Sequence, residues 1–454
     1  MDETHVVTCF LRNRGEVLLL RRSEEVGSYP GKWGGVAGHA EGDPDRAARD
    51  EIAEETGLLD ACTLARTGVP FSFEDADLDT EWTVHPYCFD CERRDAEVDW
   101  ETSEFEWVHP TEILRRETVP NLWASYSRVG PTIQQIAEDS EHGSAYLSVR
   151  ALEVLRDRAG SFAVNDPDAD RWPQLVAVAE RLLDARPSMA VVANRVTRAM
   201  AAASDDGNGA GGTASDDGDG AAGTASDDGN GAGETASDDG NGAGGTATAA
   251  AVERAAREGI ERAYRADEET AANAADEIRG ESVLTLSRSG TLLDALPAAR
   301  RVFVAESRPA REGVGVAEEI AANADDSGPE VALLTDAAVA HVVATEEIDR
   351  VVVGADAILP DGRVVNKTGT RGAALAASRE GVPVYAVAAT DKVRTDDAVH
   401  LEEGDPAAVY DGDADVTALN PTFDVTPPDL VSDVITGRVQ LRMRQSWFGC
   451  PMTK

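Results

Sequence analysis

Three glutamates, Glu51, Glu54 and Glu55, stand at i, i+3 and i+4 in the stretch DRAARDEIAEETGL, residues 45–58. On a helix that spacing puts all three carboxylates on one face. No lysine is interspersed among them, so their repulsion calls for a cation, and oxygen ligands of this kind suit Mg²⁺. An acidic face on an acidic protein is the competing explanation. A second group lies in DRVVVGADAILPDGRVVNKTGT, residues 349–370. There a short apolar run, Val351 to Val353, meets Gly354, Ala355 and Asp356 abruptly, and Lys367, one of only four lysines in the chain, follows Asn366 and precedes Thr368. A buried strand that breaks into small residues and one carboxylate delivers that carboxylate to the rim of a sheet. Lysine, asparagine and threonine beside it form a phosphate grip.

The elements that must carry these groups are legible in the same way. Asp43 can cap a helix with Pro44 at its first position, and Gly57 can end it. Before it, apolar runs Val6–Phe10 and Val17–Leu20 flank Arg12-Asn13-Arg14-Gly15 and predict a hairpin. Arg21, Arg22 and a loop with Pro30, Gly31, Trp33, Gly34 and Gly35 follow. Helical periodicity begins at Ala145, with Leu147, Ala151, Leu152 and Leu155, and recurs over Trp172–Leu183, through Val196 and Met200, and from Ala250 to Ile278. Between the last two, TASDDGNGAGG recurs with an 11-residue period from Thr213, Thr224 and Thr235. These repeats hold no large apolar residue and cannot form a core, so 203–248 is expected to be a disordered acidic tether inside a helical region.

After the last helix come five short apolar runs: Val283–Leu286, Val302–Ala305, Val331–Leu334, Val351–Val353 and Val384–Val387. Alanine-rich helical segments separate most of them, which argues for a doubly wound parallel sheet with right-handed crossovers. Ligands of such sheets bind outside the carboxyl ends of the strands. Those ends carry Ser287-Arg288-Ser289-Gly290, Glu306-Ser307-Arg308-Pro309, Thr335-Asp336, Gly354-Ala355-Asp356 and Thr390-Asp391-Lys392. Five polar endings in a row predict a site for a small anionic ligand.

Composition narrows the partners. The 454 residues carry a formal net charge of −42, with 84 acidic against 42 basic residues. That excess disfavours direct nucleic-acid or anionic-membrane binding and suits an acidic surface in a very salty cytoplasm. Five cysteines form no dense framework, which points to a reducing interior. Cys88 and Cys91, three apart on a strand, are expected to face opposite sides and to be structural, with a metal or redox pair as the alternative. No apolar run approaches the roughly 20 residues of a membrane span, and the N-terminus lacks a signal-peptide core, so a cytoplasmic protein is expected.

Residues 38–58, with Trp33-Gly34-Gly35 before them and Glu106-Trp107-Val108 and 110–122 after, resemble the Nudix box and its flanks. The resemblance covers about residues 3–130. It implies an α/β/α sandwich that hydrolyses a nucleoside diphosphate linked to another group, with Mg²⁺, or Mn²⁺ in its place, on Glu51, Glu54 and Glu55. Asp50 occupies the box's arginine position, and the loop glutamate of the box is either Glu41 or absent.

The segments ARPSM (185–189), LTLSRSG (284–290), ESRP (306–309), LLTDAAV (333–339), 349–370 and NPTFDVTPPDLV (420–431) resemble another family. It joins the alpha, beta and delta subunits of translation initiation factor 2B to ribose-1,5-bisphosphate and methylthioribose-1-phosphate isomerases. The resemblance implies a helical subdomain plus a Rossmann-like domain that binds a nucleotide or sugar phosphate, and a homodimer formed through it. It places Arg186, Arg308, Lys367 and Asn366 as phosphate ligands, with Asp336 also at the rim. Asp356 and Ser287 stand at the positions where the isomerases move protons with an aspartate and a cysteine.

The chain is thus an α/β protein divided as 1–135, a helical subdomain at 142–202 and 249–280, the tether at 203–248, and a Rossmann-like domain at 281–445. Its expected function is Mg²⁺-dependent Nudix hydrolysis fused to ligand binding. One alternative is a non-catalytic 2B-like regulatory subunit with a translation-factor partner. The other is a sugar-phosphate isomerase that tolerates Ser287.

Overall fold

The structure, a computed structural model, describes residues 2–40, 42–139, 142–208, 247–324 and 328–437. Glu41, Cys450 and most of the repeat array, 209–246, lie outside the described residues.

The first part of the chain forms β1 (Asp2–Asn13), β2 (Glu16–Arg22), β3 (Trp33–Gly34), β4 (Val36–His39), α1 (Pro44–Thr56), β5 (Cys62–Thr67), β6 (Phe71–Asp75), β7 (Thr80–Cys91), β8 (Thr102–Val108) and α2 (Leu122–Val129). Eight strands make one mixed sheet, with β1 and β7 parallel at its centre. Because alternate residues of β1 point to opposite faces, Val7, Cys9 and Leu11 pack under α1 with Ala48 and Ile52. Phe10 packs on the other face with Leu122, Tyr126 and Val129 of α2. Both faces are therefore covered, an α/β/α sandwich. The α1 boundaries are those expected: the Asp43 side chain accepts from the Asp45 and Arg46 backbone N–H groups, and Gly57 ends the helix at φ 65°.

A helical layer follows: α3 (Ile133–Glu138), α4 (Ser144–Asn165), α5 (Trp172–Ala185), α6 (Ala190–Asn208) and α7 (Ala249–Ile278). Leu147, Leu152 and Leu155 of α4 share one core with Val196 of α6 and Val252, Ala256 and Ile260 of α7. The helix α6 runs beyond the start expected for the tether. Ala203 is still buried in this core, so the helix continues to Asn208.

The remainder alternates strand and helix: β9 (Ser282–Leu286), α8 (Gly290–Ala295), β10 (Arg301–Ala305), α9 (Glu312–Asn323), β11 (Glu330–Leu334), α10 (Val339–Thr345), β12 (Arg350–Gly354), β13 (Ala357–Ile358), β14 (Val364–Lys367), α11 (Thr370–Glu380), β15 (Val384–Val387), β16 (Phe423–Thr426) and β17 (Asp433–Ile435). Six of these strands form a parallel sheet in the order β11-β10-β9-β12-β15-β17. The order reverses between β9 and β12, and a doubly wound sheet opens its ligand crevice at that switch point. Strands β13, β14 and β16 make a small antiparallel sheet beside it.

The sandwich is docked on the helical layer through buried charge. Arg12 of β1 forks onto Asp90 at 2.7 and 2.9 Å, and Tyr146 of α4 donates to the same carboxylate at 3.0 Å. Glu153 of α4 is fully buried, 2.9 Å from Arg150 and 3.7 Å from Arg12. Arg156 donates to the Gly15 carbonyl in the β1–β2 turn, and Glu253 of α7 takes Thr111 and Arg115 at 2.5 and 2.6 Å. Burial would raise the Asp90 carboxyl, but the Arg12 charge and hydrogen bond, with Arg150, hold it down at about 2.

His109 lies at this junction. Burial, then the nearby Arg156 and Arg257, push its pKa from 6.5 down to about 3. The unfolded chain therefore binds a proton between those values that the folded chain refuses, and stability falls as pH drops below about 6.5. His109→Gln is expected to flatten that decline between about pH 6.5 and 5, measured by urea denaturation at fixed salt. An unchanged slope would remove His109 from the acid limb.

Candidate functional site

The three glutamates of α1 line one cavity of about 580 Å³. The fold brings them there because the β4 strand crosses α1 at Gly38, where a Cβ would overlap the Glu51 carboxylate. Glu55 is buried and accepts from the Ala37 backbone N–H at 3.4 Å. Burial first, then Glu51, push the Glu55 carboxyl up to about 8, and burial with Glu54 raises Glu51. Asp99 and Glu101, which the sequence did not single out, face the same cavity from the loop before β8, as does Arg22. A register shift between Arg21 and Arg22 is the kind of bulge that re-aims a side chain beside a site. Arg22 gives the cavity a cation on the β2 side, whereas Asp50 pairs outward with Arg46 at 3.2 Å. Tyr29, Phe73, Trp82 and Trp100 supply aromatic walls.

Crowded, desolvated carboxylates of this kind are the chemistry a divalent cation relieves, and the hard oxygen donors fit Mg²⁺. Among the described residues no three His, Cys, Asp or Glu side chains converge closely enough to hold a metal ion as they stand. That is narrower than the three-ligand expectation. It is compatible with Mg²⁺, which keeps several waters and takes one or two carboxylates.

The switch point of the parallel sheet holds two adjoining recesses. The larger, about 430 Å³, is lined by Arg186, Ser287, Ser307, Arg308, Glu312, Lys367 and Glu402. The smaller, about 200 Å³, takes in Asp356, Asn366, Lys367, Lys392 and the N-terminus of α4. Lys367 and His142 belong to both. The left-handed backbone of Ser287, Ser307 and Arg311, at φ 61°, 63° and 60°, is a concentration of strain of the kind found at functional sites.

The predicted cations are not free. Lys367 donates to Glu312 at 2.7 Å, and the Ser287 hydroxyl donates to the other oxygen of that carboxylate. Arg186 pairs with Glu402 at 2.9 Å and donates to the Ile136 and Asp139 carbonyls. Arg308 stands 3.8 Å from Glu306. Asp336 reaches neither recess: its two oxygens accept from the Ser307 and Arg308 backbone N–H groups at 2.8 and 2.7 Å. It clamps the Ser307–Arg308 loop from outside the recesses. Glu312 and Glu402 were missed, and Lys392, placed at the predicted rim, was not singled out as a ligand. Lys392 was the most findable, a scarce lysine just beyond a strand, whereas the glutamates resembled any others in so acidic a chain.

In the smaller recess Lys392 is only 4% exposed, its pKa lowered by burial against the opposing charge of Asp356. Among the described residues the buried Ser144 hydroxyl has no hydrogen-bond partner, and Gly143 gives the first turn of the 22-residue α4 no side-chain cap. Unfilled N–H groups, a hydroxyl and two lysines suit an anion. Lys367 links that seat to Ser287 and Glu312.

A family model described as Initiation factor 2 subunit family matches residues 140–438, and one described as NUDIX domain matches residues 2–129. Ribose 1,5-bisphosphate isomerase of Haloferax volcanii is 35% identical over 176 residues, 36% of this chain and 53% of that protein. Methylthioribose-1-phosphate isomerase of Heliobacterium modesticaldum is 37% identical over 165 residues, 33% of this chain and 47% of its own. The chain thus spans about half the length of the curated relatives it matches. The structure of translation initiation factor eIF-2B from Pyrococcus horikoshii OT3 aligns with a TM-score of 0.52 at 24% identity. It covers 69% of this chain and 96% of its own, and shows a shared fold.

Proposed function

The chain belongs to the initiation factor 2 subunit family through residues 140–438 and carries a NUDIX domain at 2–129, and from that premise we propose a two-site enzyme. The first site hydrolyses the pyrophosphate bond of a nucleoside diphosphate derivative with Mg²⁺, or Mn²⁺ in its place. The second binds a sugar phosphate or nucleotide. The observation that carries the first is the convergence of Glu51, Glu54 and Glu55 on one aromatic-walled cavity.

When bound, the divalent ion would offset phosphate charge and sharpen the attacking water. One or two of Glu51, Glu54 and Glu55 would hold it directly and the remainder through its bound waters. Water adds to one phosphorus of the bridge, the bridging oxygen leaves with the other phosphate, and a carboxylate of this cluster takes the water's proton. Tyr29, Trp82 and Trp100 offer faces for a nucleobase, and Arg22 is placed to counter phosphate charge. The test is product release from a panel of nucleoside diphosphate derivatives, with Mg²⁺ in molar KCl.

The names of the curated relatives favour a second reading for the rim, sugar-phosphate isomerisation with Ser287 and Asp356 as the proton-moving pair. A serine hydroxyl exchanges protons near neutral pH far less readily than a thiol. Ser287→Cys is therefore expected to raise turnover of ribose-1,5-bisphosphate by about 100-fold or more. No turnover in either protein, with the sugar phosphate still bound, would leave the rim as a binding site. A regulatory subunit that pairs through residues 281–445 would then be the better reading of that half.

A further inference from the structure

The cysteine that faces Cys91 is not Cys88 but Cys62. Strands β5 and β7 are antiparallel with Cys62 directly opposite Cys91, and the two sulfurs are 2.9 Å apart. Cys88 lies in the core on the other face of the sheet. Opposed residues of an antiparallel pair have Cα atoms about 4.5–5.5 Å apart, inside the roughly 4.4–6.8 Å window that a disulfide tolerates. Cys62 is half-buried and open to a reagent, while Cys91 is buried behind it, its thiol directed to the Arg93 carbonyl at 3.4 Å. One accessible thiol backed by one buried partner is the layout of an attacking and a resolving cysteine.

We infer that Cys62 and Cys91 form an oxidation site that takes disulfide-class oxidants and closes a reversible link between β5 and β7. The Cys62 thiol loses its proton to solvent, and its sulfur attacks one sulfur of the oxidant, expelling a thiolate. The Cys91 thiol gives its proton through solvent to the first expelled thiolate, and its sulfur then attacks the Cys62 sulfur and expels the second thiolate. Two thiols of the protein become one disulfide, and one oxidant disulfide becomes two thiols. The link falls beside Asp90, which holds Arg12 of its own sheet and receives Tyr146 across the domain junction. Oxidation therefore staples the strand end on which that junction is anchored.

The test is to incubate the full chain with oxidised glutathione under native conditions, then block the remaining thiols and map the peptides by mass. The expected result is a Cys62–Cys91 cross-linked peptide that reductant opens, with Cys9 and Cys88 recovered as free thiols. In Cys62→Ser the cross-link is absent, and Cys91 is recovered free or as a mixed disulfide. Recovery of both Cys62 and Cys91 as free thiols in the native wild type would overturn the inference, as would a link between Cys88 and Cys91. A mixed disulfide that stays on Cys62 without resolution by Cys91 would overturn it equally. Circular dichroism of the oxidised and reduced chains verifies that the protein mapped is folded.

Discussion

Glu54→Gln is expected to lower hydrolysis of the best nucleoside diphosphate derivative by about 100-fold or more, with little change in folding stability. The two halves of that expectation have separate causes. Glu54 is exposed on α1 and takes no part in the core, so its replacement by an amide of the same shape removes charge without disturbing packing. Its carboxylate nonetheless faces the same cavity as Glu51 and Glu55. Loss of one anionic ligand weakens the hold on the divalent ion, so part of the deficit should be recovered by raising Mg²⁺. A variant that turns over as fast as wild type would sink the hydrolase reading of this cavity. Asp50→Arg supplies the complementary arm. Asp50 and Arg46 form an exposed pair, which is worth about 0–1 kcal/mol at most, so the exchange is structurally cheap. Turnover should rise if the cation missing from the box is what limits the parent.

How far such sites could be foreseen depended on whether the chemistry was local in sequence. The α1 face was legible because 3.6-residue periodicity fixes which side chains share a side. The rim was legible because parallel strands end where their apolar runs end. The short strand β17 escaped notice, since three residues, Asp433–Ile435, carry no periodic pattern of their own. What the sequence could not show was pairing at long range. Lys367 looked like a free phosphate grip, yet Glu312 from another strand–helix unit neutralises it. The sequence sets Cys91 beside Cys88, while the sulfur that faces it lies 29 residues away across a ladder. The docking of the two halves was equally hidden, because Arg12, Glu153 and Arg156 read as ordinary surface charges until they are seen to be buried.

That buried junction leads to the largest effect expected on stability. Glu153→Ala should cost about 3–5 kcal/mol, because it leaves the buried Arg150 and Arg12 facing one another with one carboxylate fewer. Both arginines and the glutamate are at least nine-tenths buried, so added salt should rescue little, unlike at an exposed pair. Neither Glu153 oxygen makes a directional hydrogen bond, and its hold on the arginines is one of charge. Replacing Arg150 by Met together with Glu153 by Leu should therefore recover most of the loss, since an apolar pair of similar volume avoids the desolvation that the ions suffer. Guanidinium is unsuitable here because it is itself a salt, so urea denaturation at constant KCl is the measurement. If the single variant were as stable as wild type, the Glu153 charge would contribute nothing to holding the sandwich on α4. If single and double variants were equally damaged, an uncompensated Arg150 charge would not be the cause, because the double variant removes that charge and keeps the volume.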